Sequence, residues 1–137
     1  MKIDEKNYRN RLIEKKLEDY LSVFGAVSIE GPKWCGKTWT SLRHAKSEVY
    51  MDDDDVREMA KIDVKSIFNK DIEKKPQLID EWNLVPTIWD AVRRECDKTT
   101  EKGNFIITGS TTLPSKIMKE KVHHSGAGRI GRLNMYT

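Results

Sequence analysis

Between Tyr8 and Phe24 the apolar residues Leu12, Ile13, Leu17, Tyr20, Leu21 and Phe24 recur every three or four positions among Arg, Glu, Lys and Asp. That period predicts an amphipathic helix. The pattern then changes. Ala26 to Glu30 (AVSIE) is a short apolar run ending at Gly31-Pro32, which predicts a buried strand entering a loop. After Lys37 the segment TWTSLRHAK continues as a helix, EVYMD reads as a second strand, and Val56 to Asn69 reads as helix in short pieces. Gln77 to Glu81 (QLIDE) suits a central strand with a polar tip. Pro86 opens a helix whose apolar stripe is Ile88, Trp89, Val92 and Cys96. Asn104 to Thr108 (NFIIT) is a further buried strand, expected to stop at Gly109, and Arg129 to Tyr136 alternates loosely as a last strand.

Strand and helix thus alternate with short polar connections, the pattern of a parallel α/β sheet covered on both faces. The length of 137 residues suits one domain, and the apolar stretches are far shorter than the roughly 20 residues of a spanning helix. The first residues, MKIDEKNYRNR, lack the apolar core of a signal peptide, so a cytoplasmic location without membrane attachment is expected. The net charge of +3 is too small to argue for nucleic acid. Cys35 and Cys96 stand far apart without a nearby His pattern, which argues for reduced thiols and against zinc. The four aspartates at 52–55 lack the alternating spacing of a calcium loop and suit helix capping. The adjacent His123 and His124 suit a polar loop, and Arg93 and Arg94, opposite the Trp89 stripe, are expected to face solvent.

The strongest chemical signal is Gly31-Pro32-Lys33-Trp34-Cys35-Gly36-Lys37-Thr38, a GxxxxGK[ST] match between a predicted strand and a predicted helix. Such a loop curls its N–H groups inward around phosphate, helped by the helix dipole. Lys37 is then expected on the β- and γ-phosphates and Thr38 on magnesium, and Trp39 is counted with residues 31–38 among the nucleotide-binding candidates. Cys35 reads as a small packed residue more readily than as a nucleophile. The pair Asp80-Glu81 closes a strand about forty residues downstream. Asp80 is the candidate magnesium acid, direct or through water, and Glu81 the candidate activator of an attacking water. Thr108-Gly109-Ser110 ends another strand, where Thr108 or Ser110 either reaches the γ-phosphate or water, or merely ends the strand. Arg129, in Gly126-Ala127-Gly128-Arg129, is the candidate arginine for transition-state charge, ahead of Arg132.

With GPKWCGKT, LIDEW, FIITGST and HHSGAGRIGRL in this order, the chain resembles the predicted AAA+-superfamily ATPases of bacteria and archaea from about Tyr8 to Met135. The resemblance implies a three-layer phosphate-loop fold with a mainly parallel five-stranded sheet in the order 5-1-4-3-2. It implies a Ser110 strand lying between those of Gly31 and Asp80. It also implies Lys37 and Thr38 on phosphate and magnesium, Asp80 and Glu81 as magnesium acid and water activator, Ser110 as polar sensor and Arg129 as the arginine of the GR element. Residues 1–25 are expected to form a helix packed on a core of 26–137. Longer members continue into a C-terminal domain with proposed roles that include DNA binding, so this chain is expected to be a truncation or fragment.

The expected activity is ATP binding with Mg2+ and ATP hydrolysis, with Arg129 acting within the chain or across a homo-oligomer boundary. Two alternatives stand beside it. One is a nucleotide-responsive module that presents a surface to a protein or DNA partner with negligible hydrolysis; the other, less favoured, is a small phosphate-loop kinase.

Overall fold

The structure, a computed structural model, describes residues 5–32, 36–110 and 130–134. Lys33, Trp34, Cys35, His123, His124 and Arg129 lie outside the described residues. In chain order the elements are α1 (Glu5–Val23), β1 (Ala26–Gly31), α2 (Lys37–Leu42), β2 (Ser47–Tyr50), α3 (Asp54–Ile62), β3 (Gln77–Asp80), α4 (Thr87–Asp97), β4 (Phe105–Ser110) and β5 (Ile130–Asn134). Three single turns of 3-10 helix, Val64–Ile67, Ile72–Lys74 and Trp82–Leu84, fill the connections. The strands form one sheet in the order β2-β3-β4-β1-β5, and every pairing is parallel. This is the expected order read from the opposite edge, with the Ser110 strand between those of Gly31 and Asp80.

Alternation along each strand divides the side chains between two cores. On one face Ala26, Ile79, Phe105, Ile107 and Ile130 pack against Ile88, Trp89, Val92 and Cys96 of α4, together with Met51 and Ala60. On the other face Val27, Ile29, Leu78, Ile106 and Leu133 pack against Leu17 of α1, with Ile13, Tyr20, Leu21 and Leu42 around it. Glu14 pairs with Arg43 at 2.8 Å and so joins α1 to the end of α2. Among the described residues no helix is long and apolar enough to cross a membrane.

Local chemistry explains the boundaries. Asp53 caps α3, accepting the N–H groups of Asp55 at 3.0 Å and Val56 at 3.3 Å, so the aspartate run serves capping as expected. Pro86 precedes α4 with helical φ of −58°. Three expectations are corrected. The helix after Lys37 stops at Leu42, because Lys46 N–H is already bonded to Pro76 O at 2.8 Å and draws the chain into the sheet. Arg93 is only 19% exposed: helical spacing sets it between Asp90 and Asp97, each at 3.7 Å. Finally, β4 continues through Gly109 to Ser110, since both residues still pair with β1.

Leu17 is fully buried and anchors α1 on the sheet. Leu17→Ala is expected to cost about 2–5 kcal/mol, the range for deleting a buried leucine side chain. Chemical denaturation of the two chains measures this.

Candidate functional site

Strands β1, β4 and β3 end side by side, with Gly31 opposite Ser110 and Ile79 opposite Ile107 just before Asp80 and Thr108. In a parallel sheet these carboxyl ends line the crevice where ligands bind. The chain leaves β1 at Gly31 and re-enters helix at Lys37 through Gly36, whose φ of 89° and ψ of 11° lie in the left-handed region that glycine enters without steric cost. The first-turn N–H groups of α2 have no carbonyl within the helix to bond. That turn therefore brings donors, Lys37 and Thr38 to the strand ends together.

Lys37 is 3% exposed, and a buried ammonium must be answered by charge and hydrogen bonds. Its Nζ donates to Ser110 Oγ at 2.6 Å and lies 3.6 Å from Glu81 Oε1. Ser110 in turn donates its hydroxyl to Glu81 Oε1 at 2.7 Å. Lysine, serine and glutamate thus form a closed triangle in which the serine hydroxyl accepts from the ammonium and donates to the carboxylate.

A second group lies beside it. Thr38 Oγ1 donates to Asp80 Oδ1 at 2.7 Å, and Thr108 Oγ1 donates to the same oxygen at 2.6 Å. Thr108 also accepts the N–H of Glu81 at 3.3 Å. Glu81 is left-handed, with φ of 58° and ψ of 49°, a conformation that costs a residue with a side chain about 1–3 kcal/mol. The surroundings over-determine it: its N–H is held by Thr108, its O accepts Leu84 N–H at 3.1 Å, and its carboxylate is held by Ser110. The turn swings Glu81 out of strand alternation and lets two successive acids address one crevice, Asp80 toward Thr38 and Glu81 toward Lys37. Next to them, burial raises the Tyr50 phenol above its ordinary pKa of 10.0, and the charges of Glu48, Asp80 and Asp52 add to that.

The donor set near Asp80 fits magnesium better than a softer ion. A carboxylate oxygen and a threonine hydroxyl lie within hydrogen-bond distance. Among the described residues no three His, Cys, Asp or Glu side chains are grouped so that they could hold a metal ion by themselves. Magnesium takes oxygen ligands and is commonly held by one or two carboxylates completed by water and substrate phosphates.

The sequence-based candidates fall into three classes. Lys37, Thr38, Asp80, Glu81 and Ser110 come together within one hydrogen-bonded assembly. Gly31, Pro32 and Gly36 frame the loop, and Trp39 stands 69% exposed on α2. Lys33, Trp34, Cys35 and Arg129 lie outside the described residues. Arg132 does not face the crevice lysine. Its guanidinium is engaged by the buried Glu30, with Nη2 at 2.9 Å from both carboxylate oxygens and Nε at 3.2 Å from Oε1. Thr108 is fully buried behind Asp80 and donates its hydroxyl to Asp80 Oδ1.

Two features escaped the sequence reading. One is the Glu30–Arg132 pair, signalled only by an acid inside an otherwise apolar strand. The other is Gly109, where a Cβ would stand 2.8 Å from Trp82 Nε1 and 3.3 Å from Asn83 Oδ1. Trp82 packs on Trp89 with ring centroids 5.1 Å apart. A bare strand position thus admits the indole that follows Glu81.

Residues 24–137 match the family described as AAA domain. No curated protein matches the sequence. Among solved structures, the chain is similar to C. elegans PCH-2, with 18% identity and a TM-score of 0.42 over 95% of this chain. The chain spans 40% of the length of that protein.

Gly109→Ala is expected to displace Trp82 and destabilise the fold by about 1–3 kcal/mol, the usual cost of overpacking. Denaturation measures the loss, and a changed near-ultraviolet circular dichroism signal from the Trp82–Trp89 pair locates it.

Proposed function

We propose, for a chain that belongs to the AAA domain family, that the crevice at the ends of β1, β3 and β4 binds ATP with magnesium and hydrolyses it. Family membership makes this a nucleotide-binding domain of phosphate-loop type; the hydrolysis, the metal and the residue roles are our reading. The observation that carries it is the convergence of Lys37, Ser110 and Glu81 with Thr38 and Asp80, two hydrogen-bonded sets joined through Thr108 by bonds of 2.6 and 3.3 Å.

In this reading the β- and γ-phosphates take over the ammonium of Lys37, which without them rests on Ser110 and Glu81. Thr38 and Asp80 hold magnesium, which supplies neutralising charge to the phosphates when bound. Glu81, released from the lysine, orients and polarises the attacking water, and Ser110 keeps its carboxylate aimed. The reading favours water over a second substrate as acceptor, because a second carboxylate, Glu81, stands immediately after the metal acid and reaches the same crevice. Arg132 is committed to Glu30, which leaves Arg129 as our candidate for transition-state charge, within the chain or from a neighbouring copy.

Titration with ATP, GTP and their diphosphates, with and without magnesium, tests the binding. Lys37→Ala is expected to weaken triphosphate affinity roughly 10- to 100-fold, the loss of one or two charge-assisted hydrogen bonds. Glu81→Gln is expected to retain ATP and slow hydrolysis about 10²- to 10⁴-fold, the usual share of a general base. Unchanged affinity in a folded Lys37→Ala chain would refute the phosphate assignment, and parental turnover in Glu81→Gln the water-activating one.

Arg129→Ala is expected to lower turnover without loss of binding. Specific activity that rises with protein concentration, and stops rising in that variant, places the arginine across a subunit boundary. Activity per chain that stays flat on dilution places it within the chain.

A further inference from the structure

Asp80 carries two hydroxyl donors on one oxygen, and they come from opposite kinds of structure. Thr38 approaches from the first turn of α2, next to the loop that must accommodate phosphate. Thr108 approaches from β4, which is flanked by β1 and β3. Thr108 is fully buried, so it cannot serve a ligand directly. A hydroxyl has one proton and two lone pairs. At Thr108 the proton goes to Asp80 Oδ1 at 2.6 Å and a lone pair takes the Glu81 N–H at 3.3 Å. One side chain therefore fixes the rotation of the metal acid and the backbone entry to the strained acid that follows it.

We infer that Thr108 is the positioning residue of the magnesium site, holding Asp80 from behind while Thr38 attends to the ion. The inference rests on the magnesium–ATP reading above and adds a residue to it. Thr38 belongs to the part of the site that a ligand rearranges. Thr108 belongs to the central sheet and keeps its bonds whatever occupies the crevice. Hydrogen bonds that orient a metal-ligating carboxylate are worth about 10- to 100-fold in metal affinity. Removing this hydroxyl should cost that much without a ligand to the ion being touched. The same hydroxyl protects the Glu81 amide, which gives a readout that requires neither metal nor turnover.

The test is Thr108→Val, nearly isosteric but without the hydroxyl, beside Thr108→Ser, which keeps it. Binding of a non-hydrolysable ATP analogue is titrated with Mg2+, and amide hydrogen exchange at Glu81 is followed in the chain without nucleotide. Thr108→Val is expected to raise the Mg2+ concentration for half-maximal effect about 10- to 100-fold and to speed Glu81 exchange, with Thr108→Ser close to the parent in both. If Thr108→Val fails to fold, Thr108→Ala against Thr108→Ser makes the same comparison. A parent whose analogue affinity ignores Mg2+ overturns the magnesium reading and this inference together. A parent that needs Mg2+, with a requirement that loss of the hydroxyl leaves unmoved, overturns this inference alone. So does a Thr108→Ser chain that loses as much as Thr108→Val.

Discussion

A buried ammonium organises this molecule. Lys37 is almost closed to solvent, and such a charge persists only where the fold delivers a carboxylate and a hydrogen-bond acceptor to it. Both come from strand ends far away in sequence, Ser110 on β4 and Glu81 just beyond β3. The same carboxylate belongs to the residue whose left-handed backbone is held by Thr108, Leu84 and Ser110. The pairing also gives the crevice its chemical character without ligand: the cation is satisfied from within, by groups that the proposed reaction needs elsewhere. In the proposed reading phosphate competes with Ser110 and Glu81 for the lysine, so that occupancy and release of the water-activating acid would be a single event.

Parallel pairing supplies the precision. Because β1, β3 and β4 run the same way in fixed register, their last residues arrive at one edge together, and alternation decides which of them look into the crevice. Asp80, Thr108 and Ser110 share a face by parity alone. Depth along the strand then divides the two hydroxyls, Thr108 inside and in contact with Asp80, Ser110 at the rim and in contact with Lys37 and Glu81. Apolar residues on the same strands, Leu78 and Ile106, lie in the core beneath α1, so packing on Leu17 and geometry in the crevice are set by one register.

Much of this was legible in the sequence, and the reasons differ by element. GPKWCGKT and LIDE are local signals: a turn that needs glycine, a lysine at fixed spacing, an acid where an apolar run ends. The strand order came with the family resemblance and agrees with the sheet. Contacts that depend on the third dimension were not legible. Glu30 and Arg132 are 102 residues apart in sequence, and nothing in either neighbourhood names the other. Gly109 reads as a strand stop because its missing side chain is filled by Trp82, from a different connection. Thr108 and Ser110 are equivalent hydroxyls in sequence; only the position of the Asp80 carboxylate between β3 and β4 separates their tasks.

The bidentate pair of Glu30 and Arg132 bears on the fidelity of assembly. Among the described residues β5 is an edge strand, joined to the sheet through β1. A parallel edge strand can slip by a residue, and each such slip turns every side chain to the opposite face. Here a slip would drive Arg132 into the apolar layer under α1, bring Leu133 to the other face, and strand the Glu30 carboxylate inside the protein. The consequence is one of specificity: an acid and an arginine that meet in only one register would set the closure that apolar burial does not by itself single out.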